Sequence, residues 1–317
     1  MIAVVFPGQG SQKVGMGREL AETSAICRET FEEADTALGQ PLSRICFDGP
    51  EEKLVLTENT QPAILAVSVA VFRLARSRGV EPAFAAGHSL GEYTAHVAAG
   101  TLSFADALRM VRRRGRYMQE AVPVGEGAMA AILGLDEEAV VAACAEARDA
   151  GVVAPANLNA PGQIVIAGQA AAVARAGEAA KARGARRVVP LAVSAPFHCP
   201  LMKPAEDRLA PELRALAYDD PRIPVVANVD GEPRVNGADA IEALIRQVSS
   251  PVRWQAVVKR LIAMGATRFV EMGPGTVLAG LIRKIDRSVD VLSIESSDGL
   301  EKALTARTGA HQHGSKS

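Results

Sequence analysis

Short apolar runs, IAVVF (Ile2–Phe6), AFAAG (83–87), IPVVAN (223–228) and RFVEMG (268–273), punctuate the chain, and longer helical patterns separate them. Each run is too short for a helix and lacks the polar alternation of a half-exposed strand, so each reads as a strand covered on both faces. Strands alternating with helices specify an α/β core with a mostly parallel sheet. Between about Gly125 and Ala195 the rhythm tightens to strand GAMAAILGL, helix DEEAVVAACAEAR, strands around VVAPANLN and GQIVIAGQ, helix AAVARAGEAAKARGA and strand RRVVPLAVS. This β-α-β-β-α-β order is the split motif of ferredoxin-like domains. The expected organisation is a large α/β-hydrolase-like catalytic domain from 1–125 and 196–300, a small inserted ferredoxin-like domain at 126–195, and a mobile tail at 301–317, where TARTGAHQHGSKS is rich in Gly, Ser, His and Lys.

Charge and cysteine usage exclude several functions. With 48% hydrophobic residues, 22% charged residues and a net charge of -1, the chain is neither disordered nor a general polyanion binder, and nucleic acid is not an expected partner. The longest apolar stretch, 62–75, is too short to span a bilayer and apolar all round, as a buried core helix is; no membrane partner is expected. The first apolar run stops at Pro7-Gly8 and reads as a strand, not a signal peptide. Cys27, Cys46, Cys144 and Cys199 form no C-x-x-C pair, so neither a metal site nor a disulfide framework is expected, and the cytoplasm is the simplest location.

Gly87-His88-Ser89-Leu90-Gly91 fits G-x-S-x-G directly after a strand-like run. In one reading Ser89 sits on a sharp strand-to-helix turn with its hydroxyl exposed and the following amide free to donate to an oxyanion. In the other, Ser89 and Glu92 form a capping box that merely starts the helix LGEYTAHVAAG. A serine nucleophile needs a base. His96 lies seven residues further along the same helix, about 10 Å away; His88 adjoins Ser89 and its side chain diverges; His311 and His313 fall in the tail. His198, in SAPFHCPLMKP where the chain returns from the small domain, remains as the candidate, beside the alternative of a histidine without a role.

The segment from Ser103 to Pro123 reads as a helix, with an apolar stripe through Ala107, Met110, Val111, Met118 and Ala121. Arg114 falls within that stripe, whereas Arg109, Arg112, Arg113 and Arg116 face the other way. A guanidinium aimed into an apolar environment needs an anion, and its planar fork suits a carboxylate: either an internal Asp or Glu, or an acidic substrate.

FPGQGSQ (6–12), GHSLGEYTAH (87–96), RGRYMQEAVPVGEGAMAAILGL from Arg114, NAPGQIVIAG from Asn159, SAPFHCPLM, QVSSPVRW from Gln247 and EMGPGTVLAGL from Glu271 together resemble the malonyl-CoA:acyl carrier protein transacylase family, in order from residue 6 to about 285. The resemblance implies a ping-pong transfer of malonyl from malonyl-CoA to the phosphopantetheine thiol of acyl carrier protein, feeding fatty acid synthesis, with no cofactor and no metal. Position by position it implies Ser89 as the acylated nucleophile, His198 as base and acid, and Arg114 as the partner of the malonyl carboxylate. Gln9 and the Leu90 amide would form the oxyanion hole, and the Gln247 carbonyl would orient the base. Met118 and Phe197 would line the acyl pocket, and Arg186 and Arg187 would dock the carrier. The rival readings are an α/β-type serine hydrolase or thioesterase, which needs an acid for its histidine, and a non-catalytic carrier-docking subunit.

Overall fold

In the computed structural model, which describes residues 1–309, the run IAVVF divides its side chains between two cores: Val4 and Phe6 pack on one face of a sheet, Ala3 and Val5 on the other. That two-sided burial is why the run carries no polar alternation. Ten strands occur among the described residues: β1 Ile2–Phe6, β2 Phe84–Gly87, β3 Gly127–Leu133, β4 Val153–Ala160, β5 Gln163–Gln169, β6 Arg187–Pro190, β7 Val225–Val226, β8 Pro233–Arg234, β9 Arg268–Met272 and β10 Asp290–Ile294. Six form one sheet in the order β10-β9-β1-β2-β7-β8, parallel except for the β7–β8 pair. The buried helix Thr57–Ser77 contributes to the core on one face, and the helices Trp254–Ala263 and Val277–Ile285 to that on the other.

The four remaining strands form an antiparallel sheet in the order β4-β5-β3-β6, with helices Glu137–Glu146 and Ala170–Ala182 between them in sequence. This is the expected β-α-β-β-α-β arrangement. Ile132, Ile164 and Ile166 turn to those two helices, whereas Met129, Val165 and Ala167 turn to the core of the large sheet. The small sheet therefore leans one face on the large one, and its backbone is tied there by Leu158 N–H to the Val252 carbonyl and Val252 N–H to the Ala156 carbonyl, both 2.9 Å.

The structure departs from the sequence expectation in three places. IPVVAN pairs only through Val225 and Val226: Pro224 has no N–H to donate, and the chain turns back after Val226 into the hairpin with β8. β10 was not among the strand-like runs. The stretch from 301, expected to be a mobile tail, is helical to Gly309 within the helix Ser297–Gly309; the rest of that expected tail, including His311 and His313, lies outside the described residues.

Candidate active site

β2 ends at Gly87 and only two residues separate it from the next helix, Leu90–Ala99, so His88 and Ser89 must reverse the chain. Gly87 and Gly91 are required by close approach: a Cβ on Gly87 would lie 1.9 Å from the Gly91 backbone, and one on Gly91 would lie 2.1 Å from the Phe6 carbonyl oxygen. Ser89 itself has φ 53° and ψ −109°. Ser89 and His198 (φ 60°) are the two non-glycine residues with positive φ among those described. Such conformations cost about 1–3 kcal/mol each and persist where the surroundings impose them. Here Asn228 clamps the turn: its Oδ1 accepts from the Ser89 amide at 2.7 Å and its Nδ2 donates to the Gly87 carbonyl at 2.7 Å.

The capping-box alternative for Ser89 and Glu92 is not what the chain forms. The Ser89 side chain makes no cap hydrogen bond, and the Glu92 carboxylate instead accepts from the Asn228 amide (3.0 Å) and from Gln247 Nε2 (2.7 Å). Ser89 Oγ lies 2.6 Å from His198 Nε2. On the far side of the ring, His198 Nδ1 is 3.0 Å from the Gln247 main-chain oxygen. A carbonyl can only accept, so Nδ1 carries the proton and Nε2 is left as an acceptor for the serine hydroxyl. Burial lowers the His198 pKa to about 3, with the Arg114 charge acting in the same direction, so the imidazole is neutral at pH 7.

Arg114 projects from the helix Phe104–Glu120, whose start is capped by Ser103 Oγ accepting from the Asp106 amide. Although it is only 1% exposed, it belongs to no ion pair among the described residues. Its Nη1 donates to Gln61 Oε1 at 2.9 Å, and its Nη2 to Gln247 Oε1 at 2.8 Å and to Ser89 Oγ at 3.1 Å; its Nε has no acceptor. No Asp or Glu forms an ion pair with it among the described residues, although the charge of Glu92 acts on it through space; its own hydrogen bonds go only to neutral oxygens, which leaves its fork open to a further acceptor. By contrast Arg109 and Arg113 pair at the surface with Asp106 and Glu212.

The first-turn amides are divided in a way that matters for an oxyanion. The Ser89 amide is taken by Asn228, while the Gly91 and Glu92 amides donate to the His88 and Ser89 carbonyls. The Leu90 N–H alone among them has no acceptor in the described residues, as expected for the first residue of a helix. Gln9, exposed on the loop after β1, lines the same cleft. That cleft, about 200 Å³, is also lined by Ser89, His198, Arg114, Met118 and Phe197. Arg186 and Arg187 are exposed and lie away from it, at the start of β6; Leu191, which follows that strand, is a lining residue about 13 Å further along. Lys181 and Arg183 are occupied by Glu178 and Glu146, whereas Arg186 and Arg187 belong to no ion pair among the described residues.

His88 is half-buried and engaged with Asn159, with Nε2 and Oδ1 2.9 Å apart, and His96 is buried against Thr101, so neither serves Ser89. Sequence reasoning missed Gln61, Asn228, Glu92 and the lining residue Asn157. For Gln61 there was a signal: a polar side chain directly before PAILAVSVAV, apolar but for Ser68, inside the same buried helix. The others announce themselves only through contacts 130 residues or more away, or across the two sheets.

A family model described as acyl transferase domain matches residues 3–314. The malonyl CoA-acyl carrier protein transacylases of Escherichia coli (strain K12) and Bacillus subtilis (strain 168) are 50% identical over 303 residues and 49% identical over 304; the matches cover 95% and 96% of this chain and 98% and 96% of those proteins. The crystal structure of an acyl carrier protein S-malonyltransferase from Vibrio cholerae superposes with a TM-score of 0.93 at 49% identity, covering 95% of this chain and 99% of that one. A malonyl-transacylase solved in complex with a type II PKS acyl-carrier protein gives 0.94 at 46% identity, covering 96% and 99%.

Proposed function

The chain belongs to the acyl transferase domain family, and from that premise we propose how its cleft carries out the reaction. Its activity is transfer of malonyl from malonyl-CoA to acyl carrier protein, by identity to the curated transacylases over nearly the full chain. Ser89 Oγ attacks the thioester carbonyl while His198 Nε2 takes its proton; the oxyanion is met by the Leu90 amide, with Gln9 beside it. Collapse expels the coenzyme A sulfur, which receives that proton, and leaves a malonyl-serine ester. The carrier's phosphopantetheine thiol then gives a proton to His198, attacks the ester, and Ser89 leaves as the hydroxyl. Each half uses one base and one set of donors, the latter worth about 3 kcal/mol apiece in such sites.

Arg114 holds the malonyl carboxylate. A bound anion offsets its charge, which removes one of the causes, second to burial, of the low His198 pKa and makes the base stronger when substrate is present. Phe197 limits an α-methyl group, by about 1–3 kcal/mol for a hydrophobic wall. Arg186 and Arg187 dock the acidic carrier. The residues divide as 1–125 and 196–300, supplying nucleophile, base and arginine, and 126–195, supplying the opposite wall of the cleft through Met129 and Asn157. Among the described residues no helix is long and apolar enough to cross a membrane, and the four cysteines are unpaired; both support a cytoplasmic enzyme.

The observation that carries this reading is one hydroxyl within 2.6 Å of a neutral imidazole and 3.1 Å of a buried guanidinium that makes no ion pair among the described residues. A hydrolase's histidine-bound acid is missing, since Nδ1 meets a carbonyl. Intact-protein mass spectrometry after mixing with malonyl-CoA tests it. A malonyl adduct is expected on the wild type and none on Ser89→Ala; an adduct that survives the substitution removes Ser89 from the reaction.

A further inference from the structure

Gln247 holds the two halves of the site together with opposite ends of one residue. Its main-chain oxygen faces the base, its Oε1 accepts from Arg114, and its Nε2 donates to the Ser89 carbonyl at 2.9 Å and to Glu92 Oε2 at 2.7 Å. A side-chain amide serves Arg114 only when its oxygen points that way; turned over, it would present an NH2 to a guanidinium. Arg114, which can only donate, and the Ser89 carbonyl, which can only accept, favour that same orientation, each through a single hydrogen bond.

Glu92 reinforces it with a second acceptor on Nε2, at the shorter distance of 2.7 Å. The residue is fully buried and, with Glu206 and Glu271, is one of three buried carboxylates among the described residues. Both groups facing Oε2, Gln247 Nε2 and the Asn228 amide, are donors, so Oε2 is an acceptor whether the carboxyl is ionised or carries a proton on the unpartnered Oε1. A buried carboxyl is expensive to keep. Burial raises its pKa to about 7 against the hydrogen bonds from Gln247 and Asn228. The residue has no contact with the reacting atoms, and the helix it sits in gains no cap from it.

We propose that Glu92 is a positioning residue for acyl selection: by accepting from Gln247 Nε2 it fixes the Gln247 amide with its oxygen on Arg114, and so aims the guanidinium at the malonyl carboxylate. The inference rests on the assignment of Arg114 above. The same acceptor, through the Asn228 amide, steadies the clamp on the serine turn, so the test must separate aim from general support.

The test compares kcat/KM for malonyl-CoA and acetyl-CoA in wild type, Glu92→Met, Glu92→Ala and Glu92→Gln, with holo carrier as acceptor and near-UV circular dichroism as the check on folding. Met and Ala remove the acceptor, and each is expected to lower the malonyl-to-acetyl ratio about tenfold, chiefly through KM for malonyl-CoA, as loss of one hydrogen bond to a charged centre does. Gln keeps one oxygen where Oε2 sits and is expected to restore the ratio to within about threefold of wild type. Equal loss with both acyl groups, an unchanged ratio, a Gln variant as deficient as Met, or failure of both Met and Ala variants to fold would each assign Glu92 to the fold and overturn the proposal. Wild type that shows no preference for malonyl-CoA, or an Arg114→Ala variant that keeps the preference, would instead remove the premise about Arg114.

Discussion

Replacing Arg114 by alanine should turn a malonyl-selective site into one that barely distinguishes malonyl from acetyl. The side chain is 1% exposed, its partners in the free protein are the oxygens of Gln61, Gln247 and Ser89, and one of its donors is unused. A carboxylate entering the cleft therefore gains charge-assisted hydrogen bonds in a dry environment, while the guanidinium gives up only neutral acceptors. Two such bonds, less those exchanged, are worth about 3 kcal/mol, which is about a hundredfold in kcat/KM. An acetyl group has nothing to offer the guanidinium and loses none of this. The assay is the rate of acyl-serine formation from malonyl-CoA and from acetyl-CoA, followed by rapid quench and intact mass. The malonyl rate constant should fall about a hundredfold and the acetyl one by no more than about threefold, with Arg114→Lys between, because an ammonium keeps the charge but not the fork. Equal losses for the two acyl groups would show that Arg114 supports Gln61 and Gln247 without meeting the substrate, and the reasoning would fail.

Other outcomes follow from the same geometry. Because burial and Arg114 hold the His198 pKa down to about 3, the base is unprotonated well below neutrality, and kcat/KM for malonyl-CoA should show no acid limb near pH 6.5; a limb there would mean the imidazole is solvated. Burial raises the Glu271 pKa from 4.5 to about 7 although it accepts from the Leu278 and Ala279 amides. The folded state then holds this proton more tightly than the unfolded one, so its contribution is fully present below pH 4.5 and lost as pH rises through about 7. Urea titrations should accordingly show the stability gap between wild type and Glu271→Gln shifting by about 3 kcal/mol against the wild type from acid to neutral pH. A gap independent of pH would contradict it. Reversing the charge at both Arg186 and Arg187 should raise KM for the carrier about tenfold and leave acylation by malonyl-CoA within about twofold, since both lie outside the cleft; a parallel loss in acylation would place them at the coenzyme instead.

Much of the architecture was legible because periodicity is a local property. IAVVF without alternation announced a strand covered on both faces, and the β-α-β-β-α-β order announced the second sheet. Arg114 was legible for the same reason: a charged residue at the apolar phase of a helix is visible in one dimension, and the structure places it at the cleft. The limits were equally physical. IPVVAN was read as a full strand, but Pro224 and the turn back into β8 after Val226 shorten it, and the helix extending to Gly309 gave no periodic signal strong enough to outweigh a polar composition.

What the chain's own order determined is the inventory: a serine between glycines after a strand, a histidine at the return from the small domain, an arginine on an apolar stripe. Two readings of Ser89, nucleophile or helix cap, were compatible with that inventory, since S-x-x-E describes both. The cap was removed only by the tertiary structure, because the competitors for each atom come from far along the chain: Asn228 takes the serine amide, Gln247 takes the glutamate, and the hydroxyl faces His198. Hydrogen bonds saturate, so which partner a polar group has depends on everything packed within reach of it, and that is decided in three dimensions.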